Sequence, residues 1–158
     1  MLDDDSRYMQ YALKEAERAF DAGEVPVGCV IVCEGQIVGK AHNQRETLQD
    51  PTAHAEVLAI TQAAAQLKSW RLEGVKLYVT LEPCAMCAGA IILARVAEVH
   101  FAALDPKAGC CGSLMNLLGD ARFNHRPAVH SGLMADECGA ILTSFFKDIR
   151  QRKNASLN

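Results

Sequence analysis

The sequence predicts an α/β fold, a partly parallel sheet with helices laid over it. Runs of strand length alternate with runs of helical periodicity, in the order helix, hairpin, helix, strand, helix, strand, helix. The composition supplies the core such a sheet needs: 50% of the residues are hydrophobic and 22% charged, as in an ordinary globular domain and unlike a disordered one. A length of 158 residues fits one domain, 1–158, with a core of about 6–150 and a basic C-terminal tail, 151–158.

Residues 6–21 read as an amphipathic helix. Tyr8, Tyr11, Ala12, Ala16, Ala19 and Phe20 recur at helical spacing, and Gly23 follows the end. Residues 27–32 and 36–41 are short β-rich runs, and Glu34-Gly35 between them marks a hairpin. Pro51-Thr52 introduces a second helix over 53–67, rich in Ala and Leu. Residues 75–81 form a dense apolar run of strand length. Pro83 then suits the first turn of a third helix, 84–94. Residues 96–101 read as another strand, 105–112 as a glycine-containing loop, 114–118 as a short helical piece, and 135–150 as a final helix.

Composition also excludes several classes. The N-terminal residues carry Asp3, Asp4 and Asp5 and lack the basic-then-apolar pattern of a secretory signal. No stretch approaches the roughly 18 apolar residues of a membrane span. The expectation is a cytoplasmic protein with no membrane partner. The cysteines are Cys29, Cys33, Cys84, Cys87, Cys110, Cys111 and Cys138, an odd count that argues against a disulfide framework. The formal net charge is −3, so the molecule as a whole is not built to cling to phosphate. The stretch 145–158, however, holds Lys147, Arg150, Arg152 and Lys153 against Asp148 alone. A nucleic acid would meet that local basic face; charge by itself reads equally as a solvated helix end.

The chemistry-bearing signal is two short motifs, His54-Ala55-Glu56 and Pro83-Cys84-Ala85-Met86-Cys87, each opening a predicted helix. Cysteines at i and i+3 in a first turn place both sulfurs on one side of the helix, where free N–H groups and the helix dipole favour thiolates. A lone CxxC also occurs in redox pairs and structural zinc sites, but a structural zinc wants four protein ligands. His54 gives a third ligand, and three leave one tetrahedral position open, the mark of a catalytic zinc. Glu56, two residues beyond His54, is placed to accept a proton from water and deliver it to a ring nitrogen and a departing amine. This pairing, H-x-E followed by P-C-x-x-C, is the signature of zinc nucleobase deaminases.

The chain thereby resembles the bacterial tRNA-specific adenosine deaminases of the cytidine deaminase-like superfamily. The resemblance spans nearly the whole chain. It is carried by Gly23-Glu24-Val25-Pro26-Val27-Gly28, Ala41-His42-Asn43, Asp50-Pro51-Thr52-Ala53-His54-Ala55-Glu56 and Tyr78-Val79-Thr80-Leu81-Glu82-Pro83-Cys84-Ala85-Met86-Cys87-Ala88-Gly89-Ala90. Gly112-Ser113-Leu114-Met115 and Asn124-His125-Arg126 are more particular to this branch. It implies a three-layer α/β/α sandwich with a five-stranded mixed sheet, a homodimer with one zinc per subunit, and conversion of adenosine to inosine at the wobble position of a tRNA anticodon stem-loop. It implies further that Asn43 contacts the purine and that Val27 and Ala55 belong to the pocket. Asp105 and Lys107 would touch neighbouring anticodon nucleotides, and Phe145, Phe146 and Arg150 of the last helix would lie on or near the RNA.

Each has a second reading: Asn43 as a turn residue, Lys107 and Arg150 as surface charge, Asp105 as a cap of its own turn, and at least one phenylalanine as core. Cys29, Cys33, Cys110 and Cys111 are read as non-ligands, the vicinal pair alternatively as a redox-sensitive surface pair. Two other functions stay open at this point: a deaminase of a free nucleobase or nucleotide (guanine, cytosine or deoxycytidylate), and a zinc-stabilised RNA-binding module without catalysis.

Overall fold

In the computed structural model, which describes residues 2–157, the chain begins with α1 (Asp4–Asp21), capped by the Asp3 side chain accepting from Ser6 N at 2.7 Å. β1 (Gly28–Cys33) and β2 (Gln36–His42) form an antiparallel hairpin. Glu34 and Gly35 carry it round with φ of 48° and 77°, the pair of positive values that a tight type I′ hairpin turn requires. Val38 is an extra residue in β2 where the register shifts. The four-residue α2 (Arg45–Leu48) follows, then α3 (Ala55–Leu67), β3 (Lys76–Leu81), α4 (Ala85–Ala94), β4 (Glu98–Ala103), β5 (Ala128–Ser131) and α5 (Ala135–Ser156).

The sheet order is β2-β1-β3-β4-β5. β1 runs antiparallel to both β2 and β3, whereas β3, β4 and β5 are parallel, so the five-stranded sheet is mixed. Alternation along the strands divides the core in two. Cys29, Ile31, Leu77, Val79, Val99 and Phe101 face Ala55, Ala59, Ala63, Ala88 and Ile91 of α3 and α4. Val30, Val32, Tyr78 and Ala102 face Tyr8, Met9 and Ala12 of α1 and Cys138 of α5. The result is three layers, helix on sheet on helix. The small faces of α1 and α3 allow close approach. A Cβ on Gly28 would come within 1.9 Å of Ala12 O, so α1 rests directly on β1.

The structure corrects several expectations. Residues 114–118 are not helical: Leu114 and Met115 are exposed, and Cys111 pairs with Asn116 in an isolated bridge instead. α2 and β5 were not legible in the sequence. The helices expected from 53 and 84 begin at Ala55 and Ala85, with His54 and Cys84 as their N-caps and Pro83 outside. The final helix, expected to end near 150, runs on to Ser156, so residues 151–156 of the basic stretch are helical. Cys110 and Cys111 are buried (4% and 7% exposed), which removes the surface-pair reading.

Candidate active site

The carboxyl ends of β3 and β4 open into residues 82–84 and 104–113, beside the starts of α3 and α4. This is where an open α/β sheet places a ligand. His54 holds extended backbone (φ −79°, ψ 150°) as the N-cap of α3, and Cys84 does the same (φ −76°, ψ 178°) for α4. Two helix starts thus point at one spot. The Nδ1 of His54 lies 3.5 Å from Cys84 Sγ and 3.5 Å from Cys87 Sγ. Tetrahedral zinc with bonds of about 2.3 Å to sulfur and about 2.05 Å to nitrogen requires N···S of about 3.5–3.6 Å. The donor set and its spacing therefore fit zinc.

The thiols reflect the same convergence. Cys84 is lowered to about 3, first by the hydrogen bond from Cys87 and then by those from His54 and the Cys87 amide. Cys87 is pushed far up by that shared hydrogen bond and by burial. The hydrogen bond with Cys84 raises His54. Glu98, His100 and His130 form the other group of metal-capable side chains among the described residues, but there His100 already bonds Glu98 at 2.7 Å and stacks on Tyr78. Only the first group offers cysteine sulfurs at zinc spacing.

Glu56 is 4% exposed, and burial raises its carboxyl above the usual range, the tuning a proton shuttle needs near neutral pH. It faces a cavity of about 180 Å³. Of the residues singled out from the sequence, Val27, Asn43, His54, Ala55, Glu56, Cys84 and Asp105 line this cavity, while Cys87 is fully buried and does not line it. Asn43 Nδ2 donates to Val25 O at 3.2 Å, and its Oδ1 is buried with no partner among the described residues. An unpaired buried acceptor beside a cavity is suited to a donor on a bound molecule.

The other predicted residues sit elsewhere. Asp105 Oδ1 accepts from Lys107 N and Ala108 N, so its side chain closes its own turn while the residue lines the pocket. Lys107 is exposed on that turn and does not line the cavity. On α5, Phe145 is buried with its ring edge against Phe20, whereas Phe146 and Arg150 are exposed; none of the three lines the cavity. Asn124 and His125 tie the end of α4: Asn124 Oδ1 accepts from Arg95, and the His125 ring lies 2.6 Å from Val96 O. Sequence reasoning missed Arg45, Val25, Leu81, Glu82 and Ala108, all of which line the cavity. Glu82 carried a signal, being a charged residue inside a quoted motif; Arg45 carried none.

The family model for the cytidine and deoxycytidylate deaminase zinc-binding region matches residues 2–103. A tRNA-specific adenosine deaminase of Bacillus subtilis (strain 168) is 55% identical over 152 residues, covering 96% of this chain and 94% of the relative. A protein of the same description from Aquifex aeolicus (strain VF5) is 50% identical over 143 residues, covering 90% and 94%. A solved structure from studies of A-to-I editing by tRNA:A34 deaminases at the wobble position of transfer RNA superposes with TM-score 0.83 at 42% identity, covering 86% of this chain and 99% of that one. A guanine deaminase from Nitrosomonas europaea superposes with TM-score 0.77 at 25% identity, covering 89% and 83%.

Proposed function

The chain belongs to the zinc-binding deaminase family and, within it, to the tRNA-specific adenosine deaminases, and from this premise we propose that it hydrolyses adenosine to inosine at the wobble position of a tRNA anticodon loop. The observation that supports this best is three donors at zinc spacing beside a buried carboxylate, with His54, Cys84 and Glu56 lining one cavity.

His54, Cys84 and Cys87 would hold the zinc, one per subunit. When bound, zinc supplies Lewis acidity that brings the pKa of water from about 16 to about 7. Glu56 accepts the proton that water gives up as its oxygen adds to the ring carbon bearing the amino group, and delivers that proton to the adjacent ring nitrogen. It then moves a second proton to the amine, which leaves as ammonia. Water and adenosine enter, inosine and ammonia leave, and no electrons are exchanged.

Asn43 Oδ1 accepts from a donor on the base, while Val27 and Ala55 wall the ring. The target base must be unstacked and turned into the cavity, which an anticodon loop permits and a paired stem does not. Arg45 and Lys107 meet backbone phosphate, joined by Arg150 on α5. Asp105 contributes by fixing the turn that carries Lys107. Phe146 is free to stack on a neighbouring base; Phe145 supports it from the core. The described chain acts as one deaminase domain.

Exposed Leu93, Leu104 and Leu114 support a homodimer, and a tRNA substrate supports a cytoplasmic location. No helix among the described residues is long and apolar enough to cross a membrane. The test is to incubate zinc-loaded protein separately with an anticodon stem-loop carrying adenosine at the wobble position, with free guanine and with cytidine. Inosine in the RNA is expected. Ammonia from the free compounds with no inosine in the RNA would reject the assignment.

A further inference from the structure

We infer that Glu24 and Glu82 are positioning residues for the RNA substrate, each holding by its buried carboxylate one of the two loops between which the target nucleotide enters. This rests on the tRNA reading above.

Two loops contribute to the cavity wall: residues 44–52 through Arg45, and residues 104–113 through Asp105 and Ala108. Neither segment is held by a strand of the sheet. Each is tied by one carboxylate from outside it, joined at the second segment by Pro83 O, which accepts from Cys110 N at 2.9 Å. Glu24, 1% exposed, accepts from Glu46 N at 3.0 Å through one oxygen, and from Thr47 N and Thr47 Oγ1, both at 2.7 Å, through the other. Glu82, 2% exposed, accepts from Asp105 N at 3.0 Å and Ser113 Oγ at 2.5 Å through one oxygen, and from Cys111 N and Ser113 N, each at 3.0 Å, through the other. Among the described residues neither carboxylate forms an ion pair with a lysine or arginine. The hydrogen-bond partners of each are donors of the loop it holds.

A buried carboxylate without a cation is a costly way to gain stability, because apolar packing of similar volume does as well or better. What the charge adds is direction. Charge-assisted bonds to backbone N–H groups fix where the loop backbone runs, not merely that it is packed. The second loop has been fitted to this arrangement: a Cβ on Gly109 would lie 2.3 Å from Glu82 Cδ, so glycine alone allows the approach. Both carboxylates also adjoin the chemistry. Glu82 lies two residues before Cys84, and Glu24 precedes Val25, whose carbonyl holds Asn43. The loops are therefore registered to the metal-binding helix start on one side and to the base-contacting asparagine on the other. A polynucleotide that must be splayed over the surface gains affinity from loops already in the bound shape.

The test uses full-length, zinc-loaded Glu24→Gln, Glu82→Gln and Ser113→Ala. Bound zinc, kcat and KM on the wobble-adenosine stem-loop, and amide hydrogen exchange without RNA are measured together. For either glutamine variant KM is expected to rise about tenfold or more, the loss of one charge-assisted hydrogen bond, with kcat within about threefold and zinc unchanged. Exchange should quicken only at residues 46–47 for Glu24→Gln, and only at 105–113 for Glu82→Gln. Ser113→Ala, which keeps the carboxylate and removes one donor, should raise KM by about threefold and decides the matter if Glu82→Gln does not fold. Unchanged KM and exchange in the folded variants, or lost zinc with unchanged exchange, would overturn the inference. Should the unaltered protein make no inosine in RNA, the tRNA reading fails. Exchange then judges the clamps alone: acceleration confined to the matching loop supports them, and its absence rejects them.

Discussion

Replacing Glu56 by glutamine separates chemistry from everything else at the site. The side chain is 4% exposed and lines the cavity beside His54 and Cys84. Gln is nearly isosteric, so packing is kept, and Glu56 is not one of the three groups at zinc spacing. What is lost is the ability to carry a proton. General acid–base catalysis contributes about 10²–10⁴-fold per positioned group. Glu56 is assigned two successive transfers, so a fall in kcat of about 10⁴-fold is expected, equivalent to about 5.5 kcal/mol at about 1.36 kcal/mol per factor of ten. The assay is single-turnover inosine formation in the stem-loop, with zinc measured by mass spectrometry and RNA binding by filter retention on the same preparation. Zinc should stay at one equivalent and RNA affinity within about threefold, since no charge-assisted contact to the RNA is removed. Activity within tenfold of the unaltered protein, at full zinc occupancy, would refute the assignment of the proton path to this residue.

Five further outcomes are expected. His54→Ala should abolish both bound zinc and inosine formation, because two thiolates alone do not make a tetrahedral site; zinc retained with activity lost would point to a different ligand set. Phe145→Ala should lower stability by about 3–5 kcal/mol in a denaturant titration, since Phe145 is buried against Phe20. Phe146→Ala should leave stability nearly unchanged and weaken RNA binding by the roughly 1–3 kcal/mol of one stacked base. Gly28→Ala should cost about 3 kcal/mol or more, read as a drop in melting temperature, because the added carbon meets backbone atoms of α1 at 1.9 and 2.6 Å. Burial alone would raise Glu24, but the hydrogen bonds from Thr47 and the Glu46 amide outweigh it and hold the group below the ordinary glutamate value of 4.5. Its contribution to stability is therefore complete above that pH and is lost as pH falls through the folded value; Glu24→Gln should flatten the decline of melting temperature below about pH 4.5.

The parts of the fold that were readable from sequence are those whose burial is periodic. β1 and β3 are apolar on both faces because they are central strands, and α1 shows its stripe because only one side meets the sheet. β5 gave no signal: all four residues are exposed, and its pairing with β4 is made by the backbone. α2 is four residues long and is held by Glu24 from a distance of more than twenty positions, which no local pattern records. Leu114 to Leu118 mimicked a helix because leucines recur at helical spacing, yet only Leu118 is fully buried. The three donors at zinc spacing and Glu56 were legible because both motifs open helices. Arg45 was not, since its place at the cavity depends on the loop that Glu24 pins.

Both helices that supply the ligand set touch it only with their opening residues. α3 runs thirteen residues away from His54 and ends at the left-handed Lys68, roughly 20 Å along its axis at about 1.5 Å per residue. The stretch that follows exposes Trp70. New termini cut there, with the ends of this chain joined by a linker, would leave His54, Cys84, Cys87, Glu56 and both loop-holding glutamates on unbroken segments. The same spot would accept an inserted domain, so the protein offers a point of fusion well removed from its chemistry.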